Sequence, residues 1–129
     1  MTASTASTRD TGEFNGKRVL VTGGTKGAGK AIADRFLLAG GTVITARSAP
    51  KEKTGAHFIQ ADVSTSEGTT KVIRELLDRF NGVDIIVHNV GGSSAPSGGF
   101  STVTDELWQQ AMNENLYPAV RLDRAFCLQ

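Results

Sequence analysis

The densest chemistry in the sequence lies in the run Thr22-Gly23-Gly24-Thr25-Lys26-Gly27-Ala28-Gly29. Four of the seven residues from Gly23 to Gly29 are glycine, so little side chain keeps a ligand from the backbone. An apolar-periodic segment follows at once, which turns the loop into the mouth of a helix. Exposed N–H groups and the positive end of the helix dipole favour a phosphate there. A plain left-handed turn between strand and helix would need one glycine rather than four. Two nucleotide chemistries compete for the loop. Gly24 to Ala31 reads Gly-Thr-Lys-Gly-Ala-Gly-Lys-Ala, but Ala31 stands where a phosphate loop places the Ser or Thr that ligates Mg²⁺. ATP or GTP chemistry is disfavoured on that ground. A dinucleotide loop is the other reading, although the strict Gly-x-Gly-x-x-Gly spacing fails because Ile32 occupies the third glycine's place.

Composition bounds what else the chain could be. Its 129 residues, 39% hydrophobic and 21% charged, are one globular domain's worth. Fourteen Lys and Arg against thirteen Asp and Glu leave a net charge of +1, with no basic excess for nucleic acid. The lone cysteine, Cys127, excludes an internal disulfide or a multi-cysteine metal site, so no metal is expected. Apolar runs such as 83–87 are far shorter than the ~20 residues of a membrane span, so no membrane partner is expected either. Residues 1–14 are rich in Ser, Thr and Ala and carry no apolar segment of signal-peptide length; they read as a disordered leader of a cytoplasmic protein. Residues 15–129 form the domain.

The elements that must position the loop follow from periodicity. Arg18 to Thr22 is a short apolar, β-branched run ended by two glycines, which reads as a buried strand. Ala28, Ile32 and Phe36 recur at helical spacing and stop at Gly40-Gly41. Thr42 to Ala46 and His57 to Ala61 predict a second and a third strand. Thr69, Val72, Ile73, Leu76, Leu77 and Phe80 predict an amphipathic helix ended by Asn81-Gly82, and Asp84 to His88 a fourth strand. After a Gly- and Ser-rich loop, Thr104 caps a last helix bearing Leu107, Trp108, Ala111, Met112 and Leu116, with a kink expected at Pro118. The alternation predicts an α/β fold, a parallel sheet covered on both faces.

Four ordered segments then resemble the short-chain dehydrogenase/reductase family. Thr22-Gly23-x-x-x-Gly27-x-Gly29 is similar to its cofactor loop, and Ala61-Asp62-Val63 to the segment whose Asp bonds the adenine. Asn89-Val90-Gly91-Gly92 resembles its Asn-Asn-Ala-Gly segment beside the cofactor ribose, with His88 and Val90 as departures from the more usual Asn and Ala. Trp108 to Leu116 resembles its Trp-to-Asn-Leu helix, which puts the family's active-site Asn on Asn115. The resemblance runs from about Lys17 to Phe126 and implies a Rossmann-type doubly wound sheet. About four strands in the order 3-2-1-4 would be present. It implies cofactor contacts from Gly23, Thr25, Lys26, Gly27, Ala28, Gly29, Arg47, Ser48, Asp62, Val63, Asn89, Val90 and Gly91. His88 could be a proton donor, but a histidine at a strand end reads first as a packed, hydrogen-bonded one.

Cofactor choice rests on charge. NAD sites end the second strand in a carboxylate for the ribose hydroxyls, whereas NADP sites place a cation for the 2′-phosphate. Here Ala46 takes the acid's place, Arg47 follows, and Lys26 lies in the glycine loop; two cations with no competing acid predict NADP.

The family's reaction, hydride transfer between a nicotinamide cofactor and an alcohol or carbonyl, needs a Ser and a Tyr-x-x-x-Lys pair. An unassisted tyrosine, with a pKa of about 10, is a poor base at neutral pH. The single tyrosine, Tyr117, is followed four residues later by Arg121 and stands two residues after Asn115, so it reads as a packing residue. Asn115 is then the one position of the tetrad present. The chain is expected to be an incomplete cofactor-binding half, marginally stable, with the fourth strand as an open edge. A second expectation is a non-catalytic nucleotide-binding or interaction module that pairs through that edge. Homo-oligomers occur in the family.

Overall fold

A computed structural model describes residues 12–47, 49–51, 53–93 and 95–127. Four parallel strands, β1 (Arg18–Thr22), β2 (Thr42–Ala46), β3 (His57–Ile59) and β4 (Ile85–Val87), form one sheet in the order β3-β2-β1-β4. The helices are α1 (Gly27–Leu38), α2 (Ser66–Phe80), α3 (Asp105–Asn115) and α4 (Tyr117–Phe126). A single 3₁₀ turn, Phe100–Thr102, precedes α3.

Strand alternation splits the core into two layers. Leu20 and Ile44 point to one face and meet Val72 and Leu76 of α2 and Leu122 of α4. Val19, Val21 and Val43 point to the other and meet Ala33 of α1, with Phe36 beside it. Burial on both faces is why β1 reads as a continuous apolar run rather than an alternating one. Register is in step: Leu20 pairs with Ile44 on one side and Ile86 on the other.

Ordered contacts begin ahead of β1. The backbone N–H of Phe14 donates to the Ala39 carbonyl at 2.8 Å, and its ring lies 4.7 Å from that of Phe36. Thus Gly12 to Phe14, assigned from sequence to a disordered leader, lie in a packed turn, because an aromatic side chain there finds apolar cover on α1. The rest of that leader, 1–11, is outside the described residues.

Three elements differ from their sequence reading. The third strand stops at Ile59 instead of Ala61, because its partner β2 ends at Ala46, opposite Ile59. The fourth strand is Ile85–Val87, since Asp84 turns to bind Arg18 and His88 to bind Asp123. The last helix is broken rather than kinked: α3 ends at Asn115, Leu116 sits at φ −111°, and α4 starts at Tyr117. Pro118 has no N–H for the Glu114 carbonyl, and its ring obstructs that carbonyl, so the break falls just ahead of it. Leu77, counted on the apolar stripe of α2, is 52% exposed, being the one stripe residue on the helix's flank.

No helix among the described residues is long and apolar enough to cross a membrane. Phe100, Trp108, Met112, Leu116 and Val120 leave exposed apolar surface along α3 and the start of α4.

Candidate cofactor-binding site

In an open doubly wound sheet, a crevice forms at the carboxyl ends of the strands where the order reverses. Here that point lies between β1 and β4. The Thr22 hydroxyl knits it together: it accepts from the N–H of Asn89 at 3.0 Å and of Val90 at 3.3 Å and donates to the Val87 carbonyl at 3.4 Å. The Asn89 amide in turn donates to the Gly23 carbonyl at 3.3 Å.

The glycines divide between two tasks. Gly23 and Gly27 sit at φ +67° and +58°, where other residues are strained. A Cβ on Gly27 would meet nothing within 4 Å, so its backbone faces open space. Gly24 and Gly29 serve close packing instead. A Cβ on Gly24 would lie 2.6 Å from Thr45 Cγ2, and one on Gly29 would run into the Gly23 carbonyl and the Asn89 amide. Threonine hydroxyls cap α2 and α3, accepting from the Gly68 and Leu107 N–H groups, whereas no side chain caps α1. The first-turn N–H groups of α1 are therefore open to a ligand.

Two lobes meet at Arg47. One, of about 330 Å³, is lined by Gly23, Thr25, Lys26, Gly27, Asn89 and Gly91, with Arg47 at its border. The other, of about 480 Å³, is lined by Arg47, Gln60, Asp62, Ser64, Val90 and Glu114. The carboxylates are confined to one of them: cations and no carboxylate line the first, while Asp62 and Glu114 line the second together with Arg47. Arg47 is a non-glycine residue at φ +129°, a strained conformation of the kind that gathers at binding sites. Ser64 donates to Asp62 Oδ1 from its hydroxyl at 2.6 Å and from its N–H at 3.0 Å. Those two bonds, aided by the Arg47 charge, hold the Asp62 carboxyl below its ordinary range.

Each residue expected from sequence has a definite place. Gly23, Thr25, Lys26, Gly27, Asn89 and Gly91 line the first lobe, Asp62 and Val90 the second, and Arg47 both. Ala28 is exposed on the first turn of α1, Gly29 is buried, and Val63 is fully buried in the core, leaving its backbone alone to meet a ligand. Ser48 lies outside the described residues. Asn115 is engaged with the loop: its amide donates to the carbonyls of Gly92 and Ala111, each at 2.9 Å, and its Oδ1 accepts from the Gly92 N–H at 3.0 Å. Tyr117 is half-buried beneath the Arg121 guanidinium, 5.3 Å from the ring centroid. His88 Nε2 lies 2.7 Å from Asp123 Oδ1, which ties the end of β4 to α4. Gln60, Ser64 and Glu114 line the second lobe without having been singled out in the sequence. Ser64 was within reach of sequence reasoning, because Asp-x-Ser is a common turn in which the acid takes the serine's N–H. Glu114 had no local signal. Among the described residues, no three of His, Cys, Asp and Glu gather as a metal site would require.

Sheet order, glycine loop and uncapped helix together define a Rossmann-type domain with its crevice at the β1/β4 reversal. The sequence pattern of the short chain dehydrogenase family matches residues 17–129, and the chain belongs to that family. The uncharacterised oxidoreductase YvrD of Bacillus subtilis is 36% identical over 120 residues, covering 85% of this chain and 44% of the relative. The NADP-dependent (R)-specific alcohol dehydrogenase of Lentilactobacillus kefiri is 35% identical over 116 residues, 82% of this chain and 45% of the relative. L-sorbose reductase of Gluconobacter frateurii, solved with NADPH and L-sorbose, superposes with a TM-score of 0.76 at 31% identity, over 88% of this chain and 47% of that one. Structures sharing the fold include NADPH-bound and NAD-bound reductases. The chain thus spans a little under half the length of the relatives it matches.

Proposed function

We propose that residues 15–129 hold NADP(H), as the cofactor-binding half of an oxidoreductase acting between an alcohol and a carbonyl. The observation that carries this reading is the first lobe of the groove, with Lys26 and Arg47, an uncapped helix mouth and no carboxylate on its walls. The residues present fit the group. The pyrophosphate would lie against Gly27 and the open N–H groups of α1, the 2′-phosphate between Lys26 and Arg47, and the adenosine in the lobe of Asp62. Bound there, the nicotinamide would supply or accept the hydride. Asn89 and Thr22 hold the groove floor, and Asn115 fixes the loop above it at Gly92. These 129 residues contain no Tyr-x-x-x-Lys pair. On this reading these residues hold the cofactor, and hydride transfer to or from an alcohol or carbonyl would need such a pair beside them.

Calorimetric titration of the chain with NADPH and NADH tests this directly. NADPH should bind at least about tenfold more tightly than NADH, since a hydrogen-bonded cation at the 2′-phosphate is worth about 1.5–3 kcal/mol. Arg47→Ala should remove most of that preference while leaving NADH affinity unchanged. Equal binding of both dinucleotides by the unaltered chain would refute the assignment to NADP.

A further inference from the structure

The carboxylate of Glu114 is unusual in its place. It stands at the end of α3 and lines the same lobe as Asp62, Gln60 and Arg47. Its position is set from two sides. Next to it, Asn115 exchanges two hydrogen bonds with Gly92, which clamps the end of the helix to the loop above the groove. One turn earlier, the Gln110 amide donates to Glu114 Oε1 at 3.1 Å. That leaves Oε2 with no hydrogen-bond partner among the described residues, lying 3.5 Å from where a Cβ on Gly92 would stand. Asp62 is arranged in a similar way, with Oδ1 taken by Ser64. Both acids line one groove, and each keeps one oxygen without a hydrogen-bond partner among the described residues.

With two carboxylates against the single cation Arg47, this lobe disfavours a phosphate and suits a group rich in donors. The anionic parts of a dinucleotide are drawn to the other lobe, where Lys26 stands with no acid. What remains for the lobe of Glu114 is the adenosine end, whose base carries an exocyclic amine with two N–H donors. We propose that Glu114 is a specificity residue that reads the purine, accepting a hydrogen bond from the adenine amine through Oε2. This rests on the cofactor reading above and adds to it a demand for an amine at purine C6. Hypoxanthine, with a carbonyl at that carbon, would put oxygen against oxygen.

The test compares NADPH with its hypoxanthine counterpart, reduced deamino-NADP, on the unaltered chain, Glu114→Gln and Glu114→Ala. Asp62→Asn serves as a parallel variant, and thermal melts confirm that each variant is folded. The unaltered chain should favour NADPH about tenfold, the scale of a hydrogen bond to a partly exposed charged group. Glu114→Gln, which can donate to the hypoxanthine carbonyl, should tighten the analogue and weaken NADPH. Glu114→Ala should weaken NADPH and spare the analogue. Loss of both ligands by the same factor would assign Glu114 to the ribose or to general electrostatics and overturn the inference, as would no change in either. A shift in base preference in Asp62→Asn alone would transfer the role to Asp62 and overturn it too. If the unaltered chain binds neither dinucleotide, the cofactor reading falls and this inference with it; binding of NADPH with an indifferent Glu114 sinks the inference alone.

Discussion

Gly29 is buried against the turn that it follows, and its Cα hydrogen takes the space where a Cβ would meet the Gly23 carbonyl and the Asn89 amide. Gly29→Ala must therefore push the loop away from α1 or separate β1 from β4. Overpacking of this kind costs about 1–3 kcal/mol. We expect the variant to melt lower by at least about 4 °C and, on the proposed cofactor reading, to bind NADPH more weakly than the unaltered chain, read by a thermal scan and a titration. Gly27 predicts the opposite balance. Its Cβ would enter open space, so Gly27→Ala harms folding chiefly through the strain of φ +58°. Two glycines two residues apart thus do different work, one for packing and one for access.

Among the elements, the break between α3 and α4 matters most to the site. It lets Asn115 and Glu114 end one helix at the groove while Leu122, on the next, is fully buried against α2 and the sheet. Leu122→Ala should cost about 2–5 kcal/mol, as large-to-small changes in a packed core do. It should lower the urea midpoint, and with α4 loosened it should also weaken dinucleotide binding through Glu114 and Asn115. The start of α2 is a second junction of fold and site. The Thr65 hydroxyl accepts from the Gly68 N–H at 2.9 Å and donates to the Asp62 carbonyl at 2.9 Å. Thr65→Ala removes the cap and also frees the Asp62 turn. A loss of about 1 kcal/mol from the cap alone is expected, measured by the same urea titration.

For the whole molecule, one clasp joins the sheet's two sides at the end away from the groove. Arg18 donates to both oxygens of Asp84 from its guanidinium, each at 3.0 Å, and its Nη1 donates to the carbonyls of Phe80 and Asn81. One cation thereby closes the start of β1, the start of β4 and the end of α2. Hydrogen bonding from the Arg18 side chain and backbone drives the Asp84 carboxyl far below its ordinary range. The sign follows from linkage. At neutral pH the carboxylate is ionised in both states and its benefit is complete. Below about pH 4 the unfolded chain takes up a proton that the folded chain refuses, so stability falls as pH falls. Asp62, lowered by Ser64, adds in the same direction. Melting temperature should drop between pH 5 and pH 3, and Asp84→Asn should both lower it at pH 7, by about 5 °C, and flatten that acid dependence.

Much of this protein was legible from local pattern alone. β-branched runs, helical spacing and glycine stops determined four strands, the first two helices and their parallel arrangement. Turn chemistry and the absence of an acid at Ala46 pointed to the glycines and cations, with no carboxylate, that line the first lobe. These are short-range properties, set by period, by the missing Cβ of glycine and by charge along a few residues. Tertiary structure decided the rest, because it depends on which distant residues the crossovers bring together. It ended β3 where β2 ran out of partners, and it put the Phe14 ring on Phe36. It turned Val63 into the core and bound His88 to Asp123 across 35 positions. It set Glu114 beside Asp62, 52 residues earlier in the chain, to complete a lobe that neither segment encodes. Sequence spacing carries no record of such a meeting; it arises when helices of fixed length pack over a sheet whose strand order is already set.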